Sequence, residues 1–301
     1  MTRPLSERVA VATQHLLPKQ ALTRFAGLVA GAQMGAVSSA IISRFIARYG
    51  VNMAEALEPD PAAYASFNDF FTRALKPGVR PLANAELLCP VDGAISQFGA
   101  IDGERILQAN FQANFQVKGH SYTTTQLLGG DAALAAHFHA GHFATLYLSP
   151  KDYHRIHMPC AGRLLRMVHV PGELFSVNPA TARGVPGLFA RNERLVCVFD
   201  SQTADVGRGH SPWALILVGA TIVGSMATVW HGVVNPPRPG MLREWGYLDQ
   251  DIQLAQGAEM GRFLLGSTVV LLFPQGPLQF NAAWAPGRAI RMGEAMASRA
   301  A

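Results

Sequence analysis

An α+β fold is the class that this 301-residue sequence predicts: a mainly antiparallel β body preceded by an N-terminal helical portion that associates with a membrane. Three observations lead there. From about Leu87 onward, short β-rich runs alternate with glycine- and proline-bearing turns, as in AISQFGAI, HFATLYLS, RLLRMVHV, RLVCVFD, WALILVGATIVGSMATVW and RFLLGSTVVLLF. No βαβ rhythm and no nucleotide-type glycine loop accompanies them, which disfavours a doubly wound sheet. The hydrophobic share of 49% is ample for a core at this length.

The N-terminal portion is set apart by its charge. Residues 1–50 hold six basic residues, Arg3, Arg8, Lys19, Arg24, Arg44 and Arg48, against Glu7 alone, whereas the other 251 residues balance at 19 against 19. A basic start can meet nucleic acid or an anionic membrane. Here the intervening residues are small and apolar without interleaved stacking aromatics, so a membrane surface is expected and nucleic acid is not. Residues 25–43 carry no charge, which by length alone permits a spanning helix. Gly27, Gly31, Gly35, Gln33, Ser38, Ser39 and Ser43 leave too little hydrophobicity for that. Residues 6–49 therefore read as helices lying on the bilayer, with 1–50 as a membrane-surface segment and 51–301 as the β-rich body. A helical hairpin packed on the soluble body satisfies the same periodicity. Glycines at spacing four offer a smooth strip for another helix, which leaves room for a dimer.

No secretory leader opens the sequence, so a protein that is not secreted is expected. Cys89, Cys160 and Cys197 are odd in number and lack metal spacing; free thiols in a reducing compartment are expected. Past Gly50, SFNDFFTRALKPGVRP reads as a short helix leaving into a loop. The tandem QANFQANFQV at 108–117 reads as a tolerated surface insertion, and the residues from about Pro286 as a loosely held tail.

Candidate chemistry is concentrated in three places. Gly266-Ser267 interrupts the apolar run FLLGSTVVLLF, where glycine marks a bulge, a bend or a close backbone approach. Gly224-Ser225 in ATIVGSMATV is a similar pair, and spacing alone does not choose between them. YLSPKDYHRIHMP places Asp152, His154, Arg155 and His157 between apolar segments. Two histidines three apart share a helical face but oppose each other on a strand, so metal binding, structural histidines and acid–base work all stay open there. PVDGAIS sets Asp92 before glycine, a pattern of ordinary turns as well.

Taken in order, FNDFFTRALKPGVRP, PVDGAISQFG, VKGHSYTTTQLLGG, YLSPKDYHRIHMP, VPGELFSVNP, LFARNERLV, LVGATIVGSM and EMGRFLLGSTV closely resemble the successive motifs of the phosphatidylserine decarboxylase proenzymes, up to about residue 274. The departures are the QANFQANFQ insert and the C-terminal tail. This resemblance implies that the chain cuts itself between Gly266 and Ser267 into a large subunit, 1–266, and a small subunit, 267–301, held as a heterodimer. Glycine without a Cβ lets the scissile peptide bend so that Oγ of Ser267 reaches the preceding carbonyl carbon. The hydroxyl needs a base, a role the resemblance carries onto His157, with Asp92 orienting and supporting its imidazolium.

Elimination from the resulting ester then leaves a pyruvoyl cofactor in place of Ser267, able to condense with the substrate amine and to act as an electron sink. The implied reaction converts phosphatidylserine to phosphatidylethanolamine and carbon dioxide, with His154 giving acid–base help. A peripheral position on the cytoplasmic side of the cell membrane follows, since a diacyl lipid scarcely leaves the bilayer. Two rival classes are weighed. A serine hydrolase would also use Ser, His and Asp, but no G-x-S-x-G elbow occurs in the sequence. A noncatalytic membrane-bound β module would carry no amine-reactive carbonyl.

Overall fold

Apolar side chains that alternate to two opposite cores decide the architecture of the β body. A computed structural model describes residues 11–14, 17–113, 116–201, 212–222, 225–265 and 268–299. The strands that position the site are β1 (Gly93–Ala100), β2 (His142–Tyr147), β3 (Arg155–His157), β4 (Gly162–Val170), β5 (Arg194–Ser201), β6 (Pro212–Val218), β7 (Met226–Thr228), β8 (Glu259–Phe263) and β9 (Thr268–Phe273). Along β5, Leu195, Cys197 and Phe199 join one core while Val196 and Val198 join the other; β6 and β9 divide in the same way. Both faces are covered, so these strands read as continuous apolar runs rather than alternating ones.

β4, β5, β6, β9, β2 and β1 lie in that order in a nine-stranded antiparallel sheet, extended by Arg243–Gly246 beyond β4 and Ala289–Ile290 beyond β1. A smaller antiparallel sheet, ordered Gly232–Asn235, β7, β8, β3, packs Met226, Met260, Phe263 and Ile156 into the first core. The second core is closed by short helical segments and a hairpin that bring Leu127, Phe138, Phe189 and Ile106. The mainly antiparallel α+β reading holds.

The N-terminal helices are α1 (Lys19–Gly31) and α2 (Ala36–Tyr49), bent by 114° to one another. α1 is packed inside out: Lys19, Thr23 and Ala30 are buried, whereas Phe25 and Leu28 are 68% and 75% exposed. An ordinary packed hairpin would bury the larger apolar residues. The expected glycine strip does not form, because α1 ends at Gly31 and Gly35 sits between the helices at φ +55°. No single helix among the described residues is long and apolar enough to cross a membrane. A third helix, α3 (Phe67–Phe71), is started by a reciprocal Ser66–Asp69 capping box, and its Phe70 and Phe71 pack with Ile42 of α2 and with Val51.

Two other expectations are corrected. Residues beyond Pro286 are not a loose tail: Ala289–Ile290 pairs with β1, Ala295–Arg299 lies between Leu87–Leu88 and Leu278–Phe280, and Ile290 and Met296 are core residues. The apolar positions of AIRMGEAMA supply that anchorage. The QANF segment belongs to a two-stranded hairpin, and its Gln108 is a buried clamp rather than surface. Its amide donates to the carbonyls of Ala182 and Val185, and its oxygen accepts from the Leu188 N–H. All three cysteines are free thiols, Cys89 and Cys197 buried and Cys160 partly so.

Candidate active site

FLLGSTVVLLF is not one strand. Its first residue ends β8 in the small sheet, and Thr268 opens β9 in the centre of the large one, so the chain crosses between sheets over residues 264–267. Gly266 and Ser267 lie outside the described residues; their flanks do not. The Phe263 N–H donates to the His154 carbonyl at 3.1 Å, the Leu264 N–H donates to the Ser225 carbonyl at 3.0 Å, and Thr268 pairs with Tyr147 and Val218. Ser225 stands at the neighbouring crossing from β6 to β7, where its hydroxyl donates to the Asn235 carbonyl at 2.7 Å.

The PVDG and HRIH stretches meet through the backbone, the His157 N–H donating to the Pro90 carbonyl at 2.9 Å. The His157 Nδ1 faces the Gly257 carbonyl at 2.8 Å, and its Nε2 faces the Tyr153 hydroxyl at 3.0 Å. A carbonyl only accepts, so Nδ1 carries the proton and Nε2 is the basic nitrogen, accepting from Tyr153. Burial lowers the His157 pKa, an effect the Gly257 carbonyl opposes. Burial pushes the Tyr153 phenol up to about 12, which keeps it a donor.

Asp92 is not at the His157 ring. It precedes Gly93, where an added Cβ would run into the Tyr147 carbonyl, so the turn needs glycine to approach β2. Its carboxylate is gripped by Arg80, whose Nε reaches Oδ1 and Oδ2 at 3.0 and 3.1 Å and whose Nη2 reaches Oδ2 at 2.5 Å. The Met292 N–H adds a bond at 2.8 Å, and Arg80 also reaches Glu55 at 2.7 Å. The group that orients His157 is thus the Gly257 carbonyl; against the lowering by burial, that carbonyl, then the charge of Glu259 and last that of Asp92 favour the protonated ring.

His154 lies just before β3 and has different partners. It is wholly buried, stacked on Phe71 with centroids 4.0 Å apart, and its Nε2 meets the Ser149 carbonyl at 3.2 Å. Nε2 therefore carries the proton, and Nδ1 is a buried lone pair without a partner. Desolvation, followed by the charge of Arg73, lowers its pKa to about 3, so it is a neutral acceptor at physiological pH. Between pH 6.5 and 3 the unfolded chain binds the proton that the folded chain refuses, and stability falls as the pH falls. In an uncut Ser267→Ala background, His154→Gln is expected to shrink the stability loss between pH 7 and pH 5 by about 2 kcal/mol in urea unfolding. An equal loss in both chains would contradict the burial of a neutral imidazole.

A cavity of about 350 Å³ reaches Tyr153, next in sequence to His154, but neither histidine; Asp92, Asp152, Arg73, Arg80 and Lys151 are among its other walls. Asp152 is held by the Ser149 N–H and hydroxyl, each at 2.7 Å, and burial raises its pKa. Sequence reading singled out Asp152 but passed over Tyr153, Arg73 and Arg80. The two arginines lie in the stretch read as a helix leaving into a loop; cations directly after an aromatic pair and before a turn proline were the available signal. α3 is fastened to the histidine strand from both sides of His154, since Arg73 donates to the Lys151 and Asp152 carbonyls and Arg155 donates to the Thr72 carbonyl at 2.8 Å.

The molecule is thus an α+β protein in which His154 bonds through its backbone to the end of β8 and is joined by aromatic packing to outward-facing apolar helices. A family model described as phosphatidylserine decarboxylase matches residues 67–298, and a second, described as PSD, matches residues 9–50. The chain belongs to the phosphatidylserine decarboxylase family. It is 70% identical over 296 residues to a phosphatidylserine decarboxylase proenzyme of Variovorax paradoxus, covering 98% of this chain and 99% of that one. Proenzymes of the same name from an Azoarcus species and from Verminephrobacter eiseniae are 68% and 67% identical, each covering at least 96% of both chains.

Proposed function

We propose that this protein is a self-processing phosphatidylserine decarboxylase that cuts itself between Gly266 and Ser267 and releases phosphatidylethanolamine and carbon dioxide. One observation carries the reading: residues 90–94, 154–157, Phe263 and Thr268, far apart in the sequence, converge through the Pro90–His157 and His154–Phe263 backbone bonds and the pairing of Tyr147 with both Ala94 and Thr268. His157 takes the Ser267 hydroxyl proton at Nε2 once the Tyr153 hydroxyl gives way, and Asp92 supports the imidazolium electrostatically. Attack by Oγ on the Gly266 carbonyl turns the peptide into an ester. Elimination across the Cα–Cβ bond of Ser267 then frees the Gly266 carboxylate, after which water enters and ammonia leaves the new N-terminus.

A pyruvoyl group at residue 267 would supply the electron sink that decarboxylation needs. The surroundings fit it: His154 Nδ1 and Thr268 Oγ1 are buried polar atoms with no partner among the described residues, and β9 is buried on both faces. His154 Nδ1, a neutral acceptor, takes a hydrogen bond from the substrate amine, which enters as the free base, and so gives acid–base help at the reacting centre.

Residues 267–301 stay bound after the cut. Val269, Val270, Leu271 and Leu272 are fully buried between β6 and β2, and at about 2 kcal/mol each they retain the fragment without help from the scissile link. We read residues 1–50 as the membrane-surface segment and 51–301 as the catalytic body. Phe25, Leu28 and Val37 face outward beside exposed Arg24, Arg44 and Arg48, a combination suited to an anionic cytoplasmic leaflet. Phe45 of α2 packs edge-on against Phe71, which stacks on His154, so the chemistry sits within two side chains of that surface.

The test is reductive trapping. Cyanoborohydride added during turnover is expected to fix phosphatidylserine covalently to the 267–301 fragment and to no other peptide; trapping on a lysine instead, or none during active turnover, would contradict the reading.

A further inference from the structure

Arg73 is a buried cation that makes no ion pair among the described residues, although the charges of Asp92, Asp152 and Glu55 act on it. It is 5% exposed, its guanidinium lies 5.3 Å from the Phe70 ring centroid, and only Nη2 is used, at 3.2 Å from the Lys151 carbonyl and 3.4 Å from that of Asp152. Nε and Nη1 are buried with no hydrogen-bond partner among the described residues. Leaving charged donors unmet in a folded protein is costly, which makes such a group a standing receptor for an oxyanion. The carboxylates around the cavity are spoken for: Asp92 and Glu55 by Arg80, Asp152 by Ser149, and Glu294 by Arg288 at 3.5 Å. Among the described residues, Arg73 and Lys151 are the cavity-lining cations that make no ion pair.

We propose that Arg73 anchors the phosphodiester of the lipid headgroup, with Lys151 as the accompanying cation at the cavity rim. This rests on the decarboxylase reading above. A zwitterionic headgroup with a phosphodiester and a carboxylate presents two oxyanions, and the chemistry separates them. The carboxylate must lose its charge as it leaves, so a guanidinium locked onto it would stabilise the ground state and slow the reaction. The phosphodiester keeps its charge throughout, and a forked donor matches two of its oxygens. Position agrees: Gly50 and Asn52, where the chain leaves α2, line the same cavity, so a headgroup hanging from the lipid surface would enter beside Arg73. The amine end would then lie toward His154, whose strand Arg73 already holds.

Two soluble ligands separate the sources, because both carry a primary amine. Glycerophosphoethanolamine keeps the phosphodiester and lacks the carboxylate; L-serine has the carboxylate and lacks the phosphodiester. In the processed enzyme, Arg73→Gln is expected to weaken glycerophosphoethanolamine binding by about tenfold or more in titration calorimetry. Serine binding should stay unchanged, and the KM for phosphatidylserine in mixed micelles should rise about as much while kcat stays within about threefold. Arg73→Lys should recover part of both. Weakened serine binding with intact glycerophosphoethanolamine binding would overturn the assignment in favour of the carboxylate. No change in either ligand would overturn it in favour of a purely structural arginine. If the glutamine variant does not fold, Arg73→Lys decides alone, since the loss of the fork should still weaken glycerophosphoethanolamine, and unchanged binding overturns the proposal. Wild-type protein that turns over no phosphatidylserine would defeat the decarboxylase reading itself, whereas an active wild type with an indifferent Arg73 defeats only the anchor.

Discussion

Ser267→Ala is expected to remain a single chain of 32.3 kDa and to release no carbon dioxide from phosphatidylserine. Both losses have one cause, because the same hydroxyl attacks the preceding carbonyl and leaves its carbon skeleton behind as the reactive cap. No other hydroxyl stands in for it: Ser225, beside the crossing, already donates to Asn235, and the Thr268 hydroxyl follows the link instead of sitting at it. The variant should fold, since β9 begins at Thr268 and its burial does not involve residue 267. Gel mobility together with carbon dioxide release checks this. An uncut variant that still decarboxylates would remove the link between cutting and catalysis.

The second large effect separates the two histidines. His157→Ala should slow cutting by at least about 10²-fold, the ordinary contribution of a positioned base. His154→Ala should cut normally and yet lose most decarboxylation. His157 has a defined proton on Nδ1 and a basic Nε2 under a movable hydroxyl, whereas His154 is buried behind Phe71 with its Nδ1 lone pair unused. Time courses of fragment appearance for the two variants decide it. Equal slowing in both would mean that the division of labour drawn from the ring hydrogen bonds is wrong.

Much of this was legible in the sequence, and the misses share a cause. Turn residues and apolar runs marked the β body, and the basic N-terminus marked the helices that turn Phe25 and Leu28 outward. Gly266-Ser267 could be seen as a break in an apolar run, but not as a crossing between sheets. β8 and β9 are buried on so many sides that no alternation survives to show where one ends and the other begins. Arg73 and Arg80 escaped notice because a charge in sequence is read as exposed, and only packing shows that one is clamped to Asp92 and the other makes no ion pair among the described residues. The tail was misjudged for the opposite reason: AIRMGEAMA is too short and too punctuated to show periodicity, yet it pairs with three strands and caps Asp92 through the Met292 N–H. Asp92 itself was recognised, but its partner was not, since a carboxylate in the turn just before a strand can face any of several cations.

Intact mass spectrometry of the purified, unreduced protein tests the central claim most directly. The account predicts two components that end and begin at Gly266 and residue 267, with the small one lighter by one ammonia than a fragment led by serine. A single uncut mass from protein that turns over phosphatidylserine, or a small fragment carrying an intact N-terminal serine, would contradict it.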